Sequence, residues 1–206
     1  MALKGVDTQR PVTEGLLLDP CFMTSASQHV QTQAQGVGGI ISLDWRFQGV
    51  GDFNADGKTD LLFRGDGNAT VGTFLIEDIN AAAPGETGKM ASTPVFFADP
   101  GAQWSVERLA DFNGDGHTDI LWLSQDGTPA IWLMNNNQII AGVVEPNPTS
   151  YWSLVDAQDY NSDGKADILW RGAGGEVAQW LMDGLRIAGF GTTLPNPGSD
   201  WTLVGI

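Results

Sequence analysis

"DFNADGKTDLLFR" (52–64), "DFNGDGHTDILWL" (111–123) and "DYNSDGKADILWR" (159–171) are three versions of one pattern. Each opens with a nine-residue loop that has Asp at positions 1, 5 and 9, Asn at 3 and Gly at 6, then runs into a short apolar stretch. Self-similarity at fixed spacing is a statement about architecture before it is one about chemistry. With the loops in register, Trp45, Trp104 and Trp152 each stand seven residues ahead. Behind each apolar run come a Gly-containing turn and a second segment, "TFLIED" (73–78), "IWLMNN" (131–136) or "QWLMDG" (179–184). A third segment follows, "VFF" (95–97), "IIAG" (139–142) or "RIAGF" (186–190), and then a Pro-containing loop that leads to the next tryptophan.

The period is 48 or 49 residues in the second and third copies and 59 in the first, where "INAAAPGETGKMAST" swells one connection. Four short strand candidates in about 48 residues have the size of a propeller blade. The expected fold is therefore all-β, a β-propeller of four-stranded blades. Residues 45–103, 104–151 and 152–200 form the repeats, with a closing strand at 201–206. Residues 1–44 form an N-terminal segment in which "GLLLDPCFM" (15–23) and "GGIISLDW" (38–45) loosely resemble half a repeat. Pairing of that segment with "WTLVGI" (201–206) would complete a fourth blade and protect the sheet edges. An open array, part of a larger propeller, or a ring completed by a second copy are the alternatives, so the chain is expected to be a monomer or a ring-completing homodimer. The repeated tryptophans have two readings, as filling between blades or as lining of a ligand groove.

Composition agrees with this class and excludes others. Twenty-seven glycines and ten prolines leave almost no stretch of helical apolar spacing. A net charge of −15 repels phosphate backbones and anionic lipid, which argues against nucleic-acid partners, and no run is long enough to span a bilayer. Cys21 is the single cysteine, so no disulfide can form within the chain, and the Cys/His sets of zinc sites are missing. No apolar signal segment is visible at the start.

Carboxylates crowded at one spacing need a reason. Oxygen ligands at positions 1, 3 and 5, a main-chain carbonyl at 7 and a turn-forming Gly at 6 are the parts of a calcium loop. Position 12, a bidentate Glu in the helix–loop–helix version, is Phe63, Trp122 or Trp170 here, so the closing carboxylate falls to position 9. The expected ligands are Asp52, Asn54, Asp56 and Asp60 with the Lys58 carbonyl in the first loop. Asp111, Asn113, Asp115 and Asp119 with the His117 carbonyl form the second set, and Asp159, Asn161, Asp163 and Asp167 with the Lys165 carbonyl the third. The His117 side chain is assigned no part, since Lys fills its place elsewhere. A flexible all-oxygen set suits Ca2+ better than Mg2+, and about three ions are expected. The bland alternative is a solvated Asx-rich turn.

The pattern resembles the FG-GAP/VCBS repeat family over about residues 45–206, on the strength of "GVGDFNADGKTDLLFR", "LADFNGDGHTDILWL", "DAQDYNSDGKADILWR" and the "WLM"-type segments. The resemblance implies a propeller with calcium in a loop between blade strands. It also implies use in adhesion, in ligand binding or as an accessory module of a secreted enzyme. No nucleophile elbow or phosphate loop is present, and the ordered acids are accounted for by the loops, so a non-catalytic protein is expected. The expected role is a calcium-stabilised extracellular or cell-surface binding module for a protein or glycan ligand. Its alternatives are a lectin-like propeller and a non-catalytic domain of a larger enzyme. The long connection 79–94 is a candidate contact site.

Overall fold

A run such as Asp119–Ser124 becomes a strand because both of its faces can be buried: Ile120, Leu121 and Trp122 are all inaccessible to water. Such a strand needs cover on both sides, and neighbouring sheets supply it. The computed structural model describes residues 29–30, 45–66, 70–78, 89–90 and 94–191. Among them there is no helix, and the strands form three large antiparallel sheets in chain order.

The first sheet contains β1 (His29–Val30), β2 (Trp45–Gly51), β3 (Asp60–Gly65) and β4 (Thr70–Phe74). Its outer strand follows two short ones, β5 (Ile76–Asp78) and β6 (Lys89–Met90), and is β7 (Val95–Ala98); the sheet order is β1-β2-β3-β4-β7. The second sheet is β8 (Trp104–Ala110), β9 (Asp119–Ser124), β10 (Pro129–Asn135) and β11 (Gln138–Val144). The third is β12 (Trp152–Gln158), β13 (Asp167–Gly172), β14 (Val177–Asp183) and β15 (Arg186–Phe190). The second and third sheets are four-stranded meanders, as the repeat predicts. We call the three sheets blades one to three.

The first strands β2, β8 and β12 lie beside one another, with β8 touching both. Each carries a one-residue bulge at the same place, between Phe47 and Gly49, Val106 and Arg108, and Leu154 and Asp156. A bulge at that point bends and twists the strand where blades converge. Arg108 of β8 bonds Asp156 of β12 at 3.1 Å across this junction.

Each seam between blades is an apolar layer. Phe53, Leu62 and Val71 from blade one meet Ile120, Trp122 and Met134 from blade two. Leu121, Ile131 and Leu133 on the opposite face of blade two meet Ile168, Trp170 and Trp180 from blade three. The aromatic pair is reproduced in both: Trp122 with Trp132, and Trp170 with Trp180, each have ring centroids 4.9 Å apart. The tryptophans of these seams are thus chiefly filling, with Trp122 and Trp170 fully enclosed.

Blade one closes on blade two through a missing side chain. A Cβ on Gly51 would stand 2.5–2.8 Å from three side-chain atoms of Thr118. The next seam balances sizes differently, with Ala110 and Ala166 at the corresponding positions. Gly51→Ala is therefore expected to destabilise by about 1–3 kcal/mol through overpacking. Chemical denaturation of this variant and of Gly51→Ala/Thr118→Ala checks it, with the double variant recovering most of the loss.

One expectation needs correction. The segment 73–78 is not one strand: β4 ends at Phe74 and β5 pairs instead with β6, drawn off by the inserted connection. The three sheets do not close into a ring among the described residues. The segments proposed for a fourth blade, 15–23, most of 38–45 and 201–206, lie outside those residues, as does most of 79–94. β1 pairs with β2, His29 opposite Arg46 and Val30 opposite Trp45.

Candidate metal centre

The nonamers curl in the same way three times. The position-1 carboxylate accepts the main-chain N–H of the position-6 glycine: Asp52 from Gly57 at 2.7 Å, Asp111 from Gly116 at 2.8 Å, Asp159 from Gly164 at 2.9 Å. The Asn side-chain oxygen accepts the N–H of position 5 in all three loops. The position-5 carboxylate accepts the N–H of position 7, from Lys58, His117 or Lys165, each at 2.9 Å. These bonds gather the oxygens of positions 1, 3 and 5 around one tight turn. Position 6 is left-handed, with φ of +79°, +86° and +84°, which only glycine adopts without strain. Position 4 is left-handed too, at Ala55, Gly114 and Ser162, and the sequence gives no sign of it because two of these are not glycine.

Position 9 plays a different local part from the others. Asp60, Asp119 and Asp167 are wholly inaccessible to water. One oxygen of each accepts the N–H of position 2, from Phe53, Phe112 or Tyr160. The other accepts an N–H from the segment that follows the next turn, from Ile76, Met134 or Met182 at 2.8–2.9 Å. Each thus ties its loop to the second segment of its own blade, at 73–78, 131–136 or 179–184. A carboxylate has about four lone-pair sites, so two such bonds leave capacity for a further partner. Burial raises the protonation point of all three, and the carboxylates at positions 1 and 5 raise it further; Asp119 is pushed up to about 7.

The loops also form the seams. The carbonyl of position 1 accepts the N–H of position 8 in the following loop: Thr118 to Asp52 and Ala166 to Asp111, both at 2.7 Å. The carbonyl of position 2 accepts from the hairpin turn of the next blade, Asn137 to Phe53 and Gly184 to Phe112. Phe53 and Phe112 themselves are fully buried among the next blade's side chains, whereas Tyr160 at the same position of the third loop is 36% exposed. The side chain of His117 also has a structural place: it is buried with Nδ1 3.2 Å from the Phe53 carbonyl. Lys165 instead reaches Asp183 on β14.

All fifteen expected ligand residues therefore lie in three equivalent loops, and their donor chemistry is oxygen throughout. Among the described residues no group of three or more Asp, Glu, His or Cys side chains is gathered as tightly as a filled metal site. The donor set nonetheless fits a hard cation. Each loop carries three carboxylates, with position 9 already strained electrostatically by the other two. Asp52, Asn54, Asp56 and Asp60, with the Lys58 carbonyl, would hold it in the first loop, and the equivalent residues in the others. A bound cation would supply neutralising charge only.

A chain of blade-like sheets joined by acidic inter-strand loops defines a propeller-type repeat protein. Residues 111–170, from the second loop through most of β13, match the family model of the FG-GAP-like repeat, and this stretch is such a repeat. No curated protein and no solved structure matches the chain. No helix among the described residues is long and apolar enough to cross a membrane.

Proposed function

We propose that the protein is a calcium-stabilised, propeller-type binding module without catalytic activity. Its three loops hold calcium, and its ligand binds on surfaces that the blades hold rigid. The carrying observation is the threefold recurrence of the loop geometry, with the first two loops each bonded to the next blade. Charge neutralised in the loop would stiffen the same segment that joins two blades. Loops of this kind in extracellular modules bind calcium in roughly the 10⁻⁴–10⁻³ M range, which favours an extracellular or cell-surface setting. A fourth blade from residues 1–44 and 201–206 would give the third loop a seam like the other two; a second copy completing the ring is the alternative.

Metal counting on protein dialysed against calcium tests the reading. Three ions per chain are expected, and Asp115→Ala should lower the count by one while leaving the other two sites filled. A count of zero in millimolar calcium would retire the proposal.

A further inference from the structure

The three loops share their curl but not their chemistry. At position 4, after the asparagine, stand Ala55, Gly114 and Ser162, and Asn113–Gly114 is the one Asn-Gly pair in the chain. Both members of that pair are held in place. The Asn113 side-chain oxygen accepts the main-chain N–H of Asp115 at 3.0 Å, and its Nδ2 donates to Asp115 Oδ2, also at 3.0 Å. A turn of this kind folds the side chain back along its own main chain, which sets Cγ beside the 113–114 peptide. The N–H of Gly114 in turn donates to Asp111 Oδ1 at 2.7 Å.

That last bond belongs to the second loop alone. Asp52 and Asp159 accept instead from positions 5 and 6 of their loops, and not from the N–H of Ala55 or Ser162. A carboxylate accepting from an amide N–H polarises the bond and raises the electron density on nitrogen. Gly114 is exposed and left-handed at φ +76°, with no Cβ to shield that nitrogen. An amide carbon, an unshielded nitrogen next to it in the chain and an acceptor for that nitrogen's proton are thus gathered at one point. Alignment of that kind is what speeds a reaction between neighbouring groups.

We propose that Asn113 is a self-modifying site, which the folded second loop converts without an enzyme to aspartate and isoaspartate. The Gly114 nitrogen attacks Cγ of Asn113. The N–Cγ bond forms, the Cγ–Nδ2 bond breaks, and ammonia leaves with the Gly114 proton. The product is a five-membered succinimide. Water then opens the ring, at the new N–Cγ bond to give aspartate or at the older peptide bond to give isoaspartate. One water is consumed and one ammonia released, with no oxidant or reductant. Asp111 is a positioning residue, holding the nitrogen and its proton.

The outcome bears on one seam only. Position 3 gains a negative charge, so a donor to Asp115 becomes a fourth carboxylate facing it. Isoaspartate also adds a carbon to the main chain next to Asp111 and Phe112, whose carbonyls accept from Ala166 and Gly184 of blade three. The junction of blades two and three therefore ages before that of blades one and two. The step needs no calcium and stands apart from the reading of the loops as metal sites.

The test is incubation of the whole chain at neutral pH in chelator, folded and in guanidinium chloride. Peptide mass spectrometry reads the acid at residue 113, and enzymatic methylation reads isoaspartate. Conversion is expected to be roughly tenfold faster in the folded chain, because the loop aligns the reacting groups. Asn54 and Asn161 should stay intact over the same time. Gly114→Ala should stop the reaction, and Asp111→Asn, which keeps an acceptor oxygen but loses the charge, should slow it by roughly tenfold or more. Comparing the folded with the unfolded wild-type chain needs no variant, so it decides the matter even where a variant fails to fold. Three results would overturn the proposal: slower conversion in the folded chain than in denaturant, equal conversion at Asn54 or Asn161, or an unchanged rate in Asp111→Asn.

Discussion

Phe112→Ala is expected to destabilise the protein by about 3–5 kcal/mol, the cost of deleting a fully enclosed aromatic side chain. The side chain leaves its own loop and sits among Trp170, Trp180 and Met182 of the next blade. The main-chain bonds of residue 112, from its N–H to Asp119 and from Gly184 to its carbonyl, survive the substitution. What is lost is therefore packing across one seam. Near-UV circular dichroism should report it alongside the unfolding midpoint, because the Trp170–Trp180 pair forms one wall of the new cavity. Tyr160→Ala is the internal control. It occupies the same loop position with its ring partly in water, and a loss under about 1 kcal/mol is expected. An equal loss at both positions would mean that another part of the chain, or another copy, covers Tyr160 in solution.

The contrast between these residues shows what a one-dimensional pattern carries. The repeat, the strand positions and the three loops could all be read from spacing, since strands and turns are local and their residue types recur. Phe53 and Phe112 could be taken for ordinary loop residues, because the groups they meet on the next blade are more than 50 positions away and nothing local encodes them. The same holds for Thr118, whose amide and hydroxyl bond to Asp52. Position 9 was legible as an acid but not as a buried one. Ligand and main-chain acceptor are both served by Asp, and only the fold shows Asp119 bridging Phe112 and Met134. The broken third strand of blade one was hidden for the opposite reason: "TFLIED" has strand composition throughout, and the insertion that diverts it lies downstream.

Those buried acids set the largest expected response to conditions. Asp119 in the folded, metal-free chain protonates near 7 against about 3.8 unfolded, and Asp60 and Asp167 are displaced the same way. Between those values the folded state binds more protons than the unfolded one, so stability falls as pH rises through the window. In chelator stability should therefore fall from about pH 4 upward, with on the order of 2 kcal/mol or more lost between pH 5 and pH 7 through Asp119 alone, at about 1.4 kcal/mol per unit. Calcium should reverse the slope. A divalent charge beside the carboxylates favours their ionised form, and protons then compete with the ion, so stability is lost on acidification instead. Saturating calcium should also add about 2.7 kcal/mol per loop at a hundredfold excess over its dissociation constant. Melting temperatures from pH 5 to 8, with EDTA and with calcium, should therefore cross. General relief of repulsion in so acidic a chain would tilt both profiles alike, whereas the crossing belongs to the loops. Parallel profiles would mean that the three carboxylate clusters are held by the backbone alone, with no cation in the account.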